Sequence, residues 1–186
     1  GAITGETVIA EVVRIKPSYS KGRTLQVLNT VSTRTTPKCP HYGVCGGCAM
    51  QHIEPNAQVA IKNRALEDLL QRIGRQQPEQ MMPPIYGSFW GYRHRARLST
   101  RFVITKDRFF VGFHEKSSSY VADMQECHVL PKHVSNMIVP LGDMLVTLSI
   151  FMRLPQIELA VGDGVTAMVL RHLEPLSESD LDTLKA

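Results

Sequence analysis

Apolar and polar positions along this chain switch between a short, strand-like period and a helical one. Residues 7–16, Thr-Val-Ile-Ala-Glu-Val-Val-Arg-Ile-Lys, are rich in β-branched types and predict a strand. Residues 17–23 carry turn chemistry, and residues 24–31 predict a second strand. Two strands are a marginal unit, so this segment calls for further neighbours. Pro55 opens a helix to about Ile73, with Val59, Leu66, Leu69, Leu70 and Ile73 on one stripe and Gly74 as its stop. Residues 75–88 form a Pro- and Gln-rich loop. Strands follow at about 95–104 and 109–114, joined by Lys106-Asp107-Arg108, and an extended piece at 119–121 leads to Cys127. Val134, Met137, Ile138, Leu141, Met144, Leu145 and Leu148 keep helical spacing, kinked or broken at Pro140. Residues 156–161 and 165–171 predict a hairpin around Gly162-Asp163-Gly164. Ser177 caps a short last helix that begins with acidic residues. The fold class is α+β, an antiparallel sheet with helices on one face.

Charge placement adds a partner to this picture. Residues 1–38 hold Arg14, Lys16, Lys21, Arg23, Arg34 and Lys38 against Glu6 and Glu11, which equals the whole net charge of +4. A second basic zone from Arg93 to Lys116 sets seven cations against Asp107 and Glu115. Such zones suit a polyanion, or form an ordinary solvated face. A hydrophobic content of 43% fits a globular protein, and the most apolar stretch, 137–152, is interrupted and too short to span a bilayer. Four cysteines without a signal peptide favour a reducing cytoplasm over a disulfide scaffold. The opening Gly1-Ala2, without Met, reads as processed or cut from something longer.

The cysteines carry the sharpest chemistry. Cys39, Cys45 and Cys48 stand in Cys-Pro-His-Tyr-Gly-Val-Cys-Gly-Gly-Cys, and Cys127 is the only other thiol. Three clustered ligands and one remote ligand make the count of a four-coordinate site. All-thiolate ligation suits an iron–sulfur cluster or a zinc site. Zinc sites usually pair cysteines in two short knuckles. Here the first gap is five residues and Cys127 has no near partner, which favours a [4Fe–4S] cluster. Structural or disulfide-paired cysteines are the plainer alternative. The flanking His41, His52 and His128 are then supporting or surface residues.

The run from Phe89 to Arg97 interleaves aromatics with cations. In a strand, Arg93, Arg95 and Arg97 would share one face, there to track phosphates or to meet a row of carboxylates. Trp90 reads as core. No G-x-G-x-x-G run, Ser–His–Asp arrangement or carboxylate pair appears, so no catalytic residue is assigned. With four thiols assigned to the centre, none remains as a nucleophile. A recognition module fits these residues better than a catalyst. Two other classes stay open: an iron–sulfur electron carrier, and a zinc-ribbon-like RNA-binding protein without an enzymatic partner domain.

The cysteine loop with Gln51-His52 behind it resembles that of bacterial 23S rRNA uracil-5-methyltransferases of the RlmD type. Trp90-Gly91-Tyr92-Arg93-x-Arg95-Ala96-Arg97-Leu98-Ser99, Val111-Gly112-Phe113 and Leu170-Arg171-His172-x-x-Pro175-Leu176-Ser177 are similar to the same family. The resemblance implies three parts. Residues 1–38 would be the later strands of an OB-like TRAM β-barrel. Residues 39–53 would be the cluster loop, and 54–186 a central α+β RNA-recognition domain closing on Cys127. The family's S-adenosylmethionine-binding domain, with its nucleophilic Cys and base, would be absent, leaving a fragment inactive by itself. In the family, the target uridine of 23S rRNA is flipped out. A Cys adds to carbon 6, and carbon 5 takes the methyl from S-adenosylmethionine. The cluster is expected to organise the RNA-binding domain, and Arg97 matches an RNA-contacting Arg. A cytoplasmic protein with 23S rRNA as partner, no membrane and no obligate protein partner is what the resemblance implies.

Overall fold

The computed structural model describes residues 1–185. They form two compact units, one from 1–37 with 50–85, the other from 38–49 with the chain from Tyr86 onward. Two antiparallel sheets and three α-helices make the fold α+β.

In the first unit, β1 (Thr7–Lys16) and β2 (Tyr19–Asn29) form an antiparallel hairpin. The second strand begins five residues before the expected 24, because Lys16 already pairs with Tyr19 and the turn needs only Pro17 and Ser18. Gly22, read as part of the turn, lies inside β2 opposite Val12, beside a register shift that absorbs the irregular pairing. An Arg23–Glu11 ion pair at 2.6 Å crosses the strands. Among the described residues this sheet has two strands and is not a closed barrel. Its apolar side chains, Val12, Val13, Ile15 and Leu25 among them, are exposed. The Arg34 guanidinium, bonded to Glu6 at 2.6 Å, holds that carboxyl down at about 2.

The helix α1 (Pro55–Leu69) starts where expected. Glu54 caps it by accepting from the Ala57 N–H at 3.0 Å, and Pro55 sits where no N–H is needed. The predicted stripe is not covered: no residue of α1 is buried, and Leu66 and Leu69 are exposed. The stop also differs. A π-turn over Leu70–Gly74 inserts one extra residue, so Arg75 rather than Gly74 takes the left-handed conformation, at φ 50°.

The second unit is built on a four-stranded antiparallel sheet, β3 (Arg95–Val103), β4 (Arg108–Gly112), β5 (Gln156–Val161) and β6 (Thr166–Arg171), in the order β4-β3-β5-β6. In β3, Ala96, Leu98 and Thr100 are buried while Arg95, Arg97 and Arg101 are exposed, the strict alternation of a one-sided sheet. Leu98 and Ile157 face each other in the register and are fully buried. The helix α2 (Lys132–Leu145) covers that side with Val134, Ile138, Leu141 and Leu145. Pro140 lies inside it without breaking it in two. Core residues stand on both sides of the proline. The helix α3 (Glu178–Lys185) is capped by Ser177, whose hydroxyl accepts from the Asp180 N–H at 3.1 Å. Asp180 in turn accepts from the Ser149 hydroxyl and N–H and the Ser177 N–H, which hold its carboxyl far below the usual range.

The helix α2 comes close to the sheet at Gly142, where an added Cβ would lie 2.6 Å from the Phe109 carbonyl oxygen of β4. Gly142→Ala must push the helix off β4 and loosen the core on which the outer face of the sheet rests. A loss of roughly 1–3 kcal/mol, as for other overpacked cores, is expected as a lowered urea midpoint with unchanged slope.

A cysteine centre beside an arginine-lined sheet face

Hydrogen bonds pin the cysteine loop to its surroundings. Inside it, the Cys45 N–H reaches the His41 carbonyl at 2.9 Å and the Tyr42 N–H reaches that of Cys39 at 3.1 Å. Gly43, at φ 96°, makes the reversal that an L side chain resists. The Gly46 N–H then bonds the His114 carbonyl at 2.8 Å, and the Lys116 N–H bonds that of Val44 at 2.7 Å. This edge pairing fixes the loop against the segment after β4. His41 adds a brace: its Nε2 accepts from the Gln125 N–H at 3.2 Å, just before Cys127. Cys127 is set by α2, whose buried Ser135 hydroxyl accepts from the Cys127 N–H at 2.8 Å.

All four cysteines are free thiols; Cys45 and Cys127 are buried, Cys39 and Cys48 half-buried. The Gln125–His41 bond ties the approach to Cys127 to the cysteine loop, and the charges of Cys48 and Cys39 add slightly to the burial that opposes ionisation of Cys127. Those of Cys45 and Cys48 oppose that of Cys39. Burial is the main cause pushing Cys39, Cys45 and Cys127 up. At those three positions burial favours the neutral thiol, and a cation of high charge would oppose that preference. The donor set is all sulfur, and the Gly47 N–H points to Cys45 Sγ at 3.4 Å, a hydrogen bond of the kind that tunes cluster sulfurs. A Cβ at Gly47 would come within 3.1 Å of the Phe113 ring and 3.4 Å of Cys45 Sγ. A side chain there would therefore press on both, and the Phe113 ring would have to give by a few tenths of an ångström. Chemically these residues suit a thiolate-bound centre. Among the described residues, no three Cys, His, Asp or Glu side chains stand close enough together to grip a metal ion.

Arg95 and Arg97 share the exposed face of β3, as the alternation implies. Arg93 does not join them. It precedes the strand, its N–H bonds the Val129 carbonyl at 2.8 Å, and its guanidinium lies over the Phe113 ring, 4.7 Å from the centroid. The pairing of the Gly91 N–H with the His128 carbonyl draws this segment away from the sheet toward the cysteine corner. Trp90 is only partly buried, edge-on to His128 and with the Lys38 ammonium 5.1 Å from its ring centroid.

Two arginines of this face lie outside the set of Arg93, Arg95 and Arg97 that the sequence picks out for RNA. Arg101 continues the two-residue alternation past Ser99, a signal within reach of the sequence. Arg171 comes alongside only through the pairing of β5 with β6. Glu158 is the single carboxylate among them: it lies 2.6 Å from Arg171 and 3.8 Å from Arg97, and Arg171 chiefly holds it below its ordinary value. The row alternates along the strand with Ser99, whose hydroxyl meets His114 Nε2 at 3.0 Å. Two of the four guanidiniums meet this carboxylate, and the described ion pairs include none for Arg95 or Arg101, so the face is left electropositive, an arrangement that suits phosphates in a row.

No protein-family model matches the chain. It is 57% identical over 185 residues to a 23S rRNA (uracil(1939)-C(5))-methyltransferase RlmD of Bordetella avium, a match covering all of this chain and 39% of that protein. Proteins of the same name from Bordetella pertussis and Chromobacterium violaceum are each 54% identical over 186 residues, covering all of this chain and 40% and 36% of their lengths. The chain thus spans about 40% of the length of the curated relatives it matches. No helix among the described residues is long and apolar enough to cross a membrane.

Proposed function

We propose, from the premise that the chain belongs to the RlmD family of 23S rRNA uracil-5-methyltransferases, that it is the part recognising rRNA. Identity above one half over the full length of the chain supports that premise. The observation that carries the reading is the arginine-lined outer face of the β4-β3-β5-β6 sheet. Arg95, Arg97, Arg101 and Arg171 would meet the phosphates and bases of an irregular RNA, where guanidiniums both pair and stack. Cys39, Cys45, Cys48 and Cys127 would hold a [4Fe–4S] cluster, which, bound there, supplies a four-point staple rather than redox chemistry on substrate. The loop hydrogen bonds and the Ser135 contact, which fix the cysteine-bearing segments, support this reading, and the thiols would draw together on the cluster as it binds. Residues 1–38 would be strands of a TRAM barrel, OB-like, completed elsewhere in a longer protein. Methyl transfer from S-adenosylmethionine to a uridine of cytoplasmic 23S rRNA would then belong to that longer protein.

The test takes the chain as it is. It should bind the cognate rRNA stem–loop more tightly than an unrelated one, and transfer no label from methyl-labelled S-adenosylmethionine to either. Equal affinity for both RNAs at moderate salt, or methylation by this chain alone, would overturn the reading.

A further inference from the structure

Next to the cysteine loop lies an open hollow of about 410 Å3, lined by Gly46, Gly47, Arg93, Phe113 and the run from His114 to Ser117, which brings both the Glu115 carboxylate and the Lys116 ammonium to it. Its size is that of a small-ligand site. Its floor is the backbone of the two glycines, and a Cβ at Gly46 would lie 3.0 Å from the His114 carbonyl oxygen. One wall is a ready-made stack, the Arg93 guanidinium on the Phe113 ring. A guanidinium already lying on an aromatic ring offers its other face to a further flat π-system, and keeps its charge. Lys116 is exposed, with no carboxylate paired to it among the described ion pairs. Ser117 bends the chain at φ 60°, a left-handed turn unusual for a residue with a side chain.

The hollow is joined to the sheet face. His114 lines it and also meets Ser99, which stands between Arg97 and Arg101 on β3. A strand of RNA lying on those arginines would thus have His114 between it and the hollow.

We infer that this hollow takes one unstacked nucleotide of the rRNA, its base lying on the Arg93 guanidinium and its phosphate meeting Lys116. The inference rests on the reading of the sheet face as an RNA surface. It assigns Arg93 a different task from the face: holding a base, not following the backbone. Because Gly46 and Gly47 form the floor, the site also makes the shape of the cysteine loop part of the RNA surface.

The test pairs protein variants with a series of cognate stem–loops, each with one abasic nucleotide in its single-stranded part. With the wild-type chain, one abasic position should weaken binding by about tenfold or more, the usual size of a lost base stack. With Arg93→Ala or Lys116→Ala that position should become indifferent, a coupling that backbone contacts do not give. Lys116 is exposed and bonds the loop only through its backbone, so its variant keeps the test valid if Arg93→Ala loosens the fold. Arg95→Ala should weaken all RNAs alike and leave the abasic effect in place. Loss of binding in Arg95→Ala, with no abasic position coupled to Arg93 or Lys116, would overturn the hollow and leave the sheet face standing. Indifference to all three substitutions would overturn both.

Discussion

Cys127→Ser should leave the chain colourless and without iron. Purified or reconstituted without oxygen, the wild-type chain is expected to be brown, with about four iron and four sulfide per chain. The remote thiol is the decisive position, because its three partners lie in one short loop and leave a four-ligand centre one thiolate short. It is buried, fixed through its N–H by Ser135, and raised by burial with help from the charges of Cys48 and Cys39. A serine hydroxyl there keeps the shape and removes the thiolate, so the loss reports on ligation rather than packing. Ser135→Ala tests the positioning alone: it frees the Cys127 N–H and should give a centre that forms but loses iron faster in air. Circular dichroism should show the sheet retained in both, since Leu98 and Ile157 pack at its middle. A colourless wild-type chain binding about one zinc would overturn the cluster and favour a four-thiolate zinc site. Iron retained in full by Cys127→Ser would remove Cys127 from the centre.

How far the sequence reaches is visible in particular residues. The alternation in β3 gives the buried Ala96 and Leu98 and the exposed Arg95 and Arg97 directly, because a one-sided sheet has no other way to place them. The hairpin of β5 and β6 follows from Gly162-Asp163-Gly164. Arg93 does not follow, since its placement depends on pairing with Val129 across 36 positions, and nothing local to the Trp-Gly-Tyr-Arg run encodes that. Arg171 is invisible for the same reason: it joins the face through a register two strands away. The stripe of α1 marks the opposite failure. Its apolar spacing is real, yet no residue of the helix is buried, so a periodic pattern alone does not name what covers it. The nearness of Cys127 to the loop is legible only as arithmetic, four thiols for four places, and the bonds from Gln125 to His41 and from Ser135 to Cys127 supply the physical cause.

The triple variant Arg95→Ala, Arg97→Ala, Arg101→Ala should weaken binding of the cognate stem–loop on the order of a hundredfold at low salt, since each charge-assisted contact contributes about 1.5–3 kcal/mol before compensation. The salt dependence is the sharper readout. Each phosphate contact on single-stranded RNA contributes roughly −0.7 to the log–log slope, so three lost contacts make it shallower by about 2. All three side chains are exposed and none belongs to the core, so the variant should fold as the wild type does. Glu158 gives the opposite sign. It holds Arg171 at 2.6 Å and faces Arg97 at 3.8 Å, where it competes with a phosphate for both. Glu158→Gln removes that competitor and should tighten binding severalfold, with a steeper salt slope, while hydrogen bonding across β5 and β6 remains possible. Arg97→Ala should in addition narrow the gap between cognate and unrelated RNA, because a guanidinium stacked on a base reads more than charge. If the folded triple variant binds both RNAs as the wild type does, and Glu158→Gln changes nothing, the outer face of this sheet is solvated surface and the RNA lies elsewhere.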